Sequence, residues 1–149
     1  MGQTTTVLPD GRGVHIAGAH EDYHNPDFFI YNDVIVTDPS KPWASCCTIY
    51  GYPKTIFPPM DFHTATYYHD PITNTKHIYV IGGFVEVQHK DDRDNMLVHR
   101  LDIEDFSMHR IEVKGDNPGL LTNLHAEMNE DTHKVILKEM KESSLGGNW

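Results

Sequence analysis

Thiol is nearly absent from this chain: 149 residues contain two cysteines, adjacent at Cys46 and Cys47. A disulfide between chain neighbours is strained, so no disulfide framework holds the fold. The pair reads as reduced small hydrophobes in a strand rather than a redox couple, whose cysteines are ordinarily separated. Long apolar runs are also missing. No stretch approaches the roughly 20 residues a membrane helix needs. The start, Met1-Gly2-Gln3-Thr4-Thr5-Thr6, has neither the basic nor the apolar region of a secretory signal, which leads to the expectation of a cytoplasmic chain with no membrane partner. Positive charge is scarce: 12 Lys and Arg against 22 Asp and Glu give a formal net charge of −10, which repels nucleic-acid phosphates and anionic lipid surfaces. No nucleic acid is expected as a partner.

What is present is enough for one core. An apolar share of 38%, with 2 Trp, 7 Tyr and 6 Phe, is too rich for a disordered chain, and the length suits a single domain over residues 1–149. The segments are short, β-branched and punctuated by turn residues. Gln3–Leu8 stops at Pro9-Asp10-Gly11; Val14–Ala19 follows; His20–Phe28 reads as a polar loop; Ile30–Asp38 and Cys47–Tyr52 complete four strands. The order then repeats. The strands are His63–Tyr68, His77–Ile81, Met96–Ile103 and Met108–Lys114, with a polar loop from Glu86 to Asn95 before the third of them. Leu124–Met128 and Lys134–Met140 give two strands of a third, incomplete unit, although the second of these favours helix as readily as strand. The units span about 3–60, 61–119 and 120–141, with a tail at 142–149.

The centre of this pattern is Asp61-Phe62-His63-Thr64-Ala65-Thr66-Tyr67-Tyr68, a turn-rich loop, and His77-Ile78-Tyr79-Val80-Ile81-Gly82-Gly83. The second run is nearly continuous in apolar and β-branched residues, as in a strand buried on both faces. The glycine pair closes it where a side chain would obstruct a neighbouring backbone or forbid φ > 0. Matching His63 with His125, Asp38 with Asp102, and Gly18 with Gly82 gives offsets of 62, 64 and 64 residues, a single period. Gly18 then stands at the first position of the pair and Ala19 at the second.

The apolar strand ending in Gly82-Gly83, the Leu101-Asp102 strand end with Met108 where such repeats usually carry Trp, and Trp43 after Asp38 resemble kelch repeats. The run Ile49-Tyr50-Gly51-Tyr52-Pro53 leading to Asp61–Thr66 is similar to bacterial kelch-type domains of the galactose oxidase-like β-propeller class. The resemblance covers about residues 3–138. It implies an all-β chain of four-stranded antiparallel units forming a partial β-propeller; a two-sheet β-sandwich is the alternative. Galactose oxidase-like enzymes use copper with a cysteine-crosslinked tyrosine. No residue here corresponds to those, and none is carried over.

Chemistry is sparse. No Ser-His-Asp ordering, phosphate-cradling glycine loop or buried carboxylate pair is recognisable, so no catalytic residue is named. His20, Asp22 and His24 form the densest cluster of metal-capable groups, but their spacing matches no established motif. His63 and His125 read as equivalent first-strand residues whose rings bond the backbone of an adjacent unit. Long polar loops on a rigid sheet suit recognition, which makes Tyr23, His24 and Asp27 in the first long loop, and His89, Asp92 and Arg93 in the second, the expected binding residues. The expected function is a non-enzymatic protein-interaction module with no resident cofactor. A metal-dependent enzyme using the His20–His24 loop and a structural subunit of a larger propeller are the alternatives. Ten strands cannot close a propeller of at least four four-stranded blades. The open edges lead to the expectation of a homodimer.

Overall fold

The structure, a computed structural model, describes residues 1–22, 25–85, 96–122, 124–129 and 131–139, with the backbone alone for 21, 22, 25–28 and 139. Every regular element among them is a strand, apart from a single 3-10 turn at Trp43–Ser45. The first sheet is an antiparallel meander of β1 (Thr4–Val7), β2 (Gly13–Asp22), β3 (Asn25–Thr37) and β4 (Cys47–Gly51). After the two-residue strand β5 (Met60–Asp61) come β6 (Thr64–His69), β7 (Lys76–Ile81), β8 (Phe84–Val85), β9 (Val98–Asp102) and β10 (Met108–Arg110). The second sheet has the order β10-β9-β7-β6, and β5 pairs with β8 as a short ribbon. A hairpin of β11 (Leu124–Asn129) and β12 (Lys134–Glu139) follows. The all-β expectation holds, and residues 134–139, which favour helix as readily as strand, form a strand because they pair along their length with β11.

The two sheets share one core, in which Val14, Ile16, Val34 and Val36 meet Ile78, Val80, Leu101 and Met108 around Phe57 and Met60 from the connection. Which face each sheet offers follows from register. Thr4 pairs with Ile16 and Thr64 with Ile81; Ile16 then pairs with Val34, and Ile81 with Val98. Immediately after these isoleucines, Ala17-Gly18 (φ 49° and 103°) matches Gly82-Gly83 (φ 71° and 92°). Ahead of the first strands, Gly2 (φ 65°) matches Phe62 (φ 53°). At the outer turns, Asp38 N donates to Cys46 O at 2.7 Å as Asp102 N does to Ser107 O at 3.0 Å. On this match the core residues Val14, Ile16, Val34 and Val36 correspond to Tyr79, Ile81, Val98 and Arg100. The core residues of the second sheet, Ile78, Val80, His99 and Leu101, correspond to Gly13, His15, Ile35 and Thr37. The sheets therefore pack front to back, with unlike faces in contact. The hairpin continues the series, since Thr66 Oγ1 on the front of the second sheet donates to Ala126 O of β11 at 3.4 Å.

Four expectations are corrected. Residues 20–22 and 25–28 do not form a loop: β2 and β3 run on past the glycine, with His20 opposite Phe29 and Glu21 opposite Phe28, because a bulge between Ile16 and Gly18 lets the ladder resume. The first glycine-pair position is held by Ala17 and the second by Gly18, so that offset is 65 rather than 64. His63 is buried ahead of β6 with Nε2 2.8 Å from Thr4 Oγ1, whereas His125 is exposed within β11, its Nε2 3.2 Å from Glu127 Oε1. The two histidines are not equivalent. Finally, β7 is not buried on both faces, because His77 and Tyr79 are only half-buried.

Candidate functional site

The hairpin lies over the β6 side of the second sheet's front face, and among the described residues the rest of that face stays open. Cross-strand pairing sets His77 opposite Asp102 and Tyr79 opposite Arg100, and β6 places Tyr68 beside His77. These residues, with Lys76, line a recess of about 450 Å³. Where the first sheet buries Val14 and Val36, the second carries Tyr79 and Arg100, so this part of the face suits a polar contact better than an apolar one.

Asp102 is the hub of the recess. Its Oδ1 lies 2.5 Å from His77 Nδ1 and 3.2 Å from Arg100 Nε, ion-pair contacts that lack hydrogen-bond alignment. Its Oδ2 accepts from Arg100 Nη2 and Ser107 Oγ, both at 3.4 Å, and lies 3.2 Å from His109 Nε2. Thr75 Oγ1 holds His77 Nε2 at 2.9 Å, fixing the ring. Tyr68 and Tyr79 form an aromatic wall, their centroids 6.3 Å apart, and Tyr68 Oη reaches His133 Nδ1 of the hairpin at 3.1 Å. On the acidic rim, hydrogen bonds from the Ile72 amide and from Thr73 hold the Asp70 carboxyl below its usual range. Those from Ser107 do the same for Asp105, so both stay ionised.

Ser107, His109 and Asp102 do not make a nucleophilic triad. Activation requires the serine and the carboxylate on opposite ring nitrogens, but here Ser107 Oγ (3.0 Å) and Asp102 Oδ2 (3.2 Å) share His109 Nε2. Nor do three His, Cys, Asp or Glu residues among those described stand together as a metal site. In this cluster Arg100 brings a permanent positive charge to Asp102. The arrangement can recognise a polar or charged group through fixed donors, acceptors and rings, and contains no activated nucleophile.

The site expected from the sequence lies elsewhere or outside the described residues. Tyr23, His24, His89, Asp92 and Arg93 fall outside them. His20 is exposed on β2, and Asp22 and Asp27 lie on the arms of the β2–β3 ladder, described by backbone alone. The recess was missed because its parts are far apart in sequence. The available signal was the alternation His77-x-Tyr79 and Arg100-x-Asp102, which is polar on the face that the glycine pair does not bury. Comparisons with family models, curated proteins and solved structures find no match.

Proposed function

We propose that this chain is a non-enzymatic protein-interaction module built from kelch-type units stacked as a partial β-propeller. The observation that carries the reading is front-to-back packing. Successive propeller blades meet by unlike faces, whereas two like sheets related by a two-fold meet by like ones. The serial approach of first strands, β1 to β6 and β6 to β11, supports the same reading. The polar recess is built on the paired strands of the second sheet, which suits recognition by exposed groups. The partner is a protein, met by Tyr23, His24, Asp27, His89, Asp92 and Arg93.

Affinity capture tests this with the intact chain and with the variant Tyr23→Ala/His24→Ala/His89→Ala/Arg93→Ala. The expected result is specific partners held by the parent chain and lost, at least tenfold, by the variant, with Ile72→Ala as the exposed control outside these segments. Retention of the same partners by the quadruple variant would remove those residues from the interface.

A further inference from the structure

The recess on the front of the second sheet is charged unevenly. Four carboxylates line it, those of Asp70, Asp102, Glu104 and Asp105, against the two permanent cations Lys76 and Arg100. Arg100 is matched by Asp102, whose Oδ1 lies 3.2 Å from Nε and whose Oδ2 accepts from Nη2 at 3.4 Å. That pair cancels. Among the described residues Asp70, Glu104 and Asp105 form no ion pair. Asp70 and Asp105 accept instead from the neutral amides of Ile72 and Ser107, at 2.8 and 2.9 Å. Lys76 stands alone against these three, and its charge also acts on Asp10. An anion would have to pass the three carboxylates to reach one ammonium, so the surplus selects a cation.

The walls narrow the choice of cation. Tyr68 and Tyr79 are both half-buried, with centroids 6.3 Å apart and planes inclined at 43°. A tyrosine ring attracts a cation to its face. A guanidinium, planar and weakly hydrated, stacks there and keeps its N–H groups free for a carboxylate, whereas a compact ammonium holds its water more tightly. Core packing does not account for this surface, because the matched positions of the first sheet carry Val14 and Val36, buried between the sheets. The rim also discriminates between sources of the guanidinium. It repels the α-carboxylate of free arginine, a group that becomes a neutral amide within a polypeptide.

We propose that the recess receives an arginine side chain presented by a protein partner, its guanidinium against Tyr68 and Tyr79 and its N–H groups toward the acidic rim. The source of that side chain rests on the reading of the chain as a protein-interaction module. The contact itself is one that reading does not use, and it matches a chain whose net charge of −10 favours basic partners.

Titration of the full chain with acetyl-arginine methylamide, followed through the ring-proton shifts of Tyr68 and Tyr79, tests the site without any partner protein. Saturable shifts are expected at millimolar concentration. The neutral citrulline analogue should bind at least about tenfold more weakly, and the lysine analogue and free arginine about threefold more weakly. Asp70→Asn/Asp105→Asn should weaken binding about tenfold, and Lys76→Ala, which removes the opposing charge, should tighten it about threefold. Asparagine keeps the side-chain oxygen that accepts from the Ile72 and Ser107 amides, so both turns survive the double substitution. Absence of saturable shifts, citrulline or lysine binding as tightly as arginine, free arginine binding as tightly as the capped form, unchanged affinity in the double variant, or weakening by Lys76→Ala would each overturn the proposal. Affinity capture with the quadruple variant reads other residues, so failure of the interaction reading and failure of this site are told apart.

Discussion

Acidification from pH 6.5 to pH 4 should strip several kcal/mol of stability from the fold, because two histidines are buried neutral in the seam between the sheets. His63 is 5% exposed and His99 fully buried. Burial, then the neighbouring His99, pushes His63 from 6.5 down to about 4, with the Ile16 backbone pulling weakly the other way. Burial, then the Arg110 charge, does the same to His99, to about 4, against the backbone of Ile56. Both ring nitrogens of His99 and Nδ1 of His63 lack an aligned hydrogen-bond partner, and the Phe57 ring stands edge-on to His99 at 5.1 Å. The sign follows from proton counts. Between the two values the unfolded chain binds more protons than the folded one, so the stability is fully present above about 6.5 and lost as pH falls toward about 4. At pH 5 each histidine accounts for about 2 kcal/mol, together lowering Tm by roughly 10 °C. Asp61 acts in the opposite sense. Burial raises its pKa, so its protonation in the folded state offsets part of the loss at the acid end. Urea titrations at pH 7.5, 6, 5 and 4.5 measure the slope, and His99→Leu should remove about half of it, because leucine fills the site without needing a partner. A stability flat across this range would refute the assignment.

Gly83→Ala is expected to cost about 3 kcal/mol or more, a large loss for a side chain of one methyl group. Two effects add. The residue sits at φ +92°, where a Cβ costs about 1–2 kcal/mol, and that Cβ would stand 2.6 Å from Asp61 O and 2.9 Å from His63 N and Cβ. The obstructing oxygen is backbone, held by the β5–β8 ribbon and the entry to β6, so it cannot swing aside as a flexible side chain would. Gly83 N also donates to Leu121 O at 2.9 Å, tying the pair to the segment that leads to the hairpin. Gly115 is the matched control: φ is +104° but a Cβ there meets nothing within 4 Å. Its replacement by Ala should cost about 1 kcal/mol, from backbone conformation alone. Chemical denaturation midpoints of the two variants compare them directly, and equal losses would mean the close approach at Gly83 contributes nothing.

The positions of the ten main strands could be read from the sequence because their β-branched runs are bounded by turn signals such as Pro9-Asp10-Gly11, although the strand expected over Met108–Lys114 stops at Arg110, well short of the turn at Gly115-Asp116-Asn117. The need for glycine at 82 and 83 was also legible, for the reason the structure gives. The faces were not. A strand turns over with every residue, so pairing Gly18 with Gly82 instead of Gly83 assigns every side chain of the unit to the wrong side. With Ala17 at a φ of 49°, no glycine marked the first position. The recess around Asp102 was hidden for a related reason: His77, Arg100 and His109 reach it only through the β7–β9 and β9–β10 registers. The β2–β3 extension was read as a loop because His20–Asp27 is polar, while its pairing depends on the bulge that follows Ile16.

The front-to-back stacking of the two sheets is the claim on which the functional reading rests, and side-chain NOEs in the folded chain test it most directly. Along β6, Ala65 and Tyr67 pack toward the shared core, while Thr66 meets Ala126 of the hairpin. Between the sheets, Tyr50 stacks on Phe106 with centroids 4.7 Å apart, and Thr4 Oγ1 meets His63. The account predicts NOEs from Ala65 and Tyr67 to the core valines and isoleucines, from Tyr50 to Phe106, and from Thr66 to Ala126. NOEs from Thr66 and Tyr79 to Val14 and Val36 would place like faces together and contradict it.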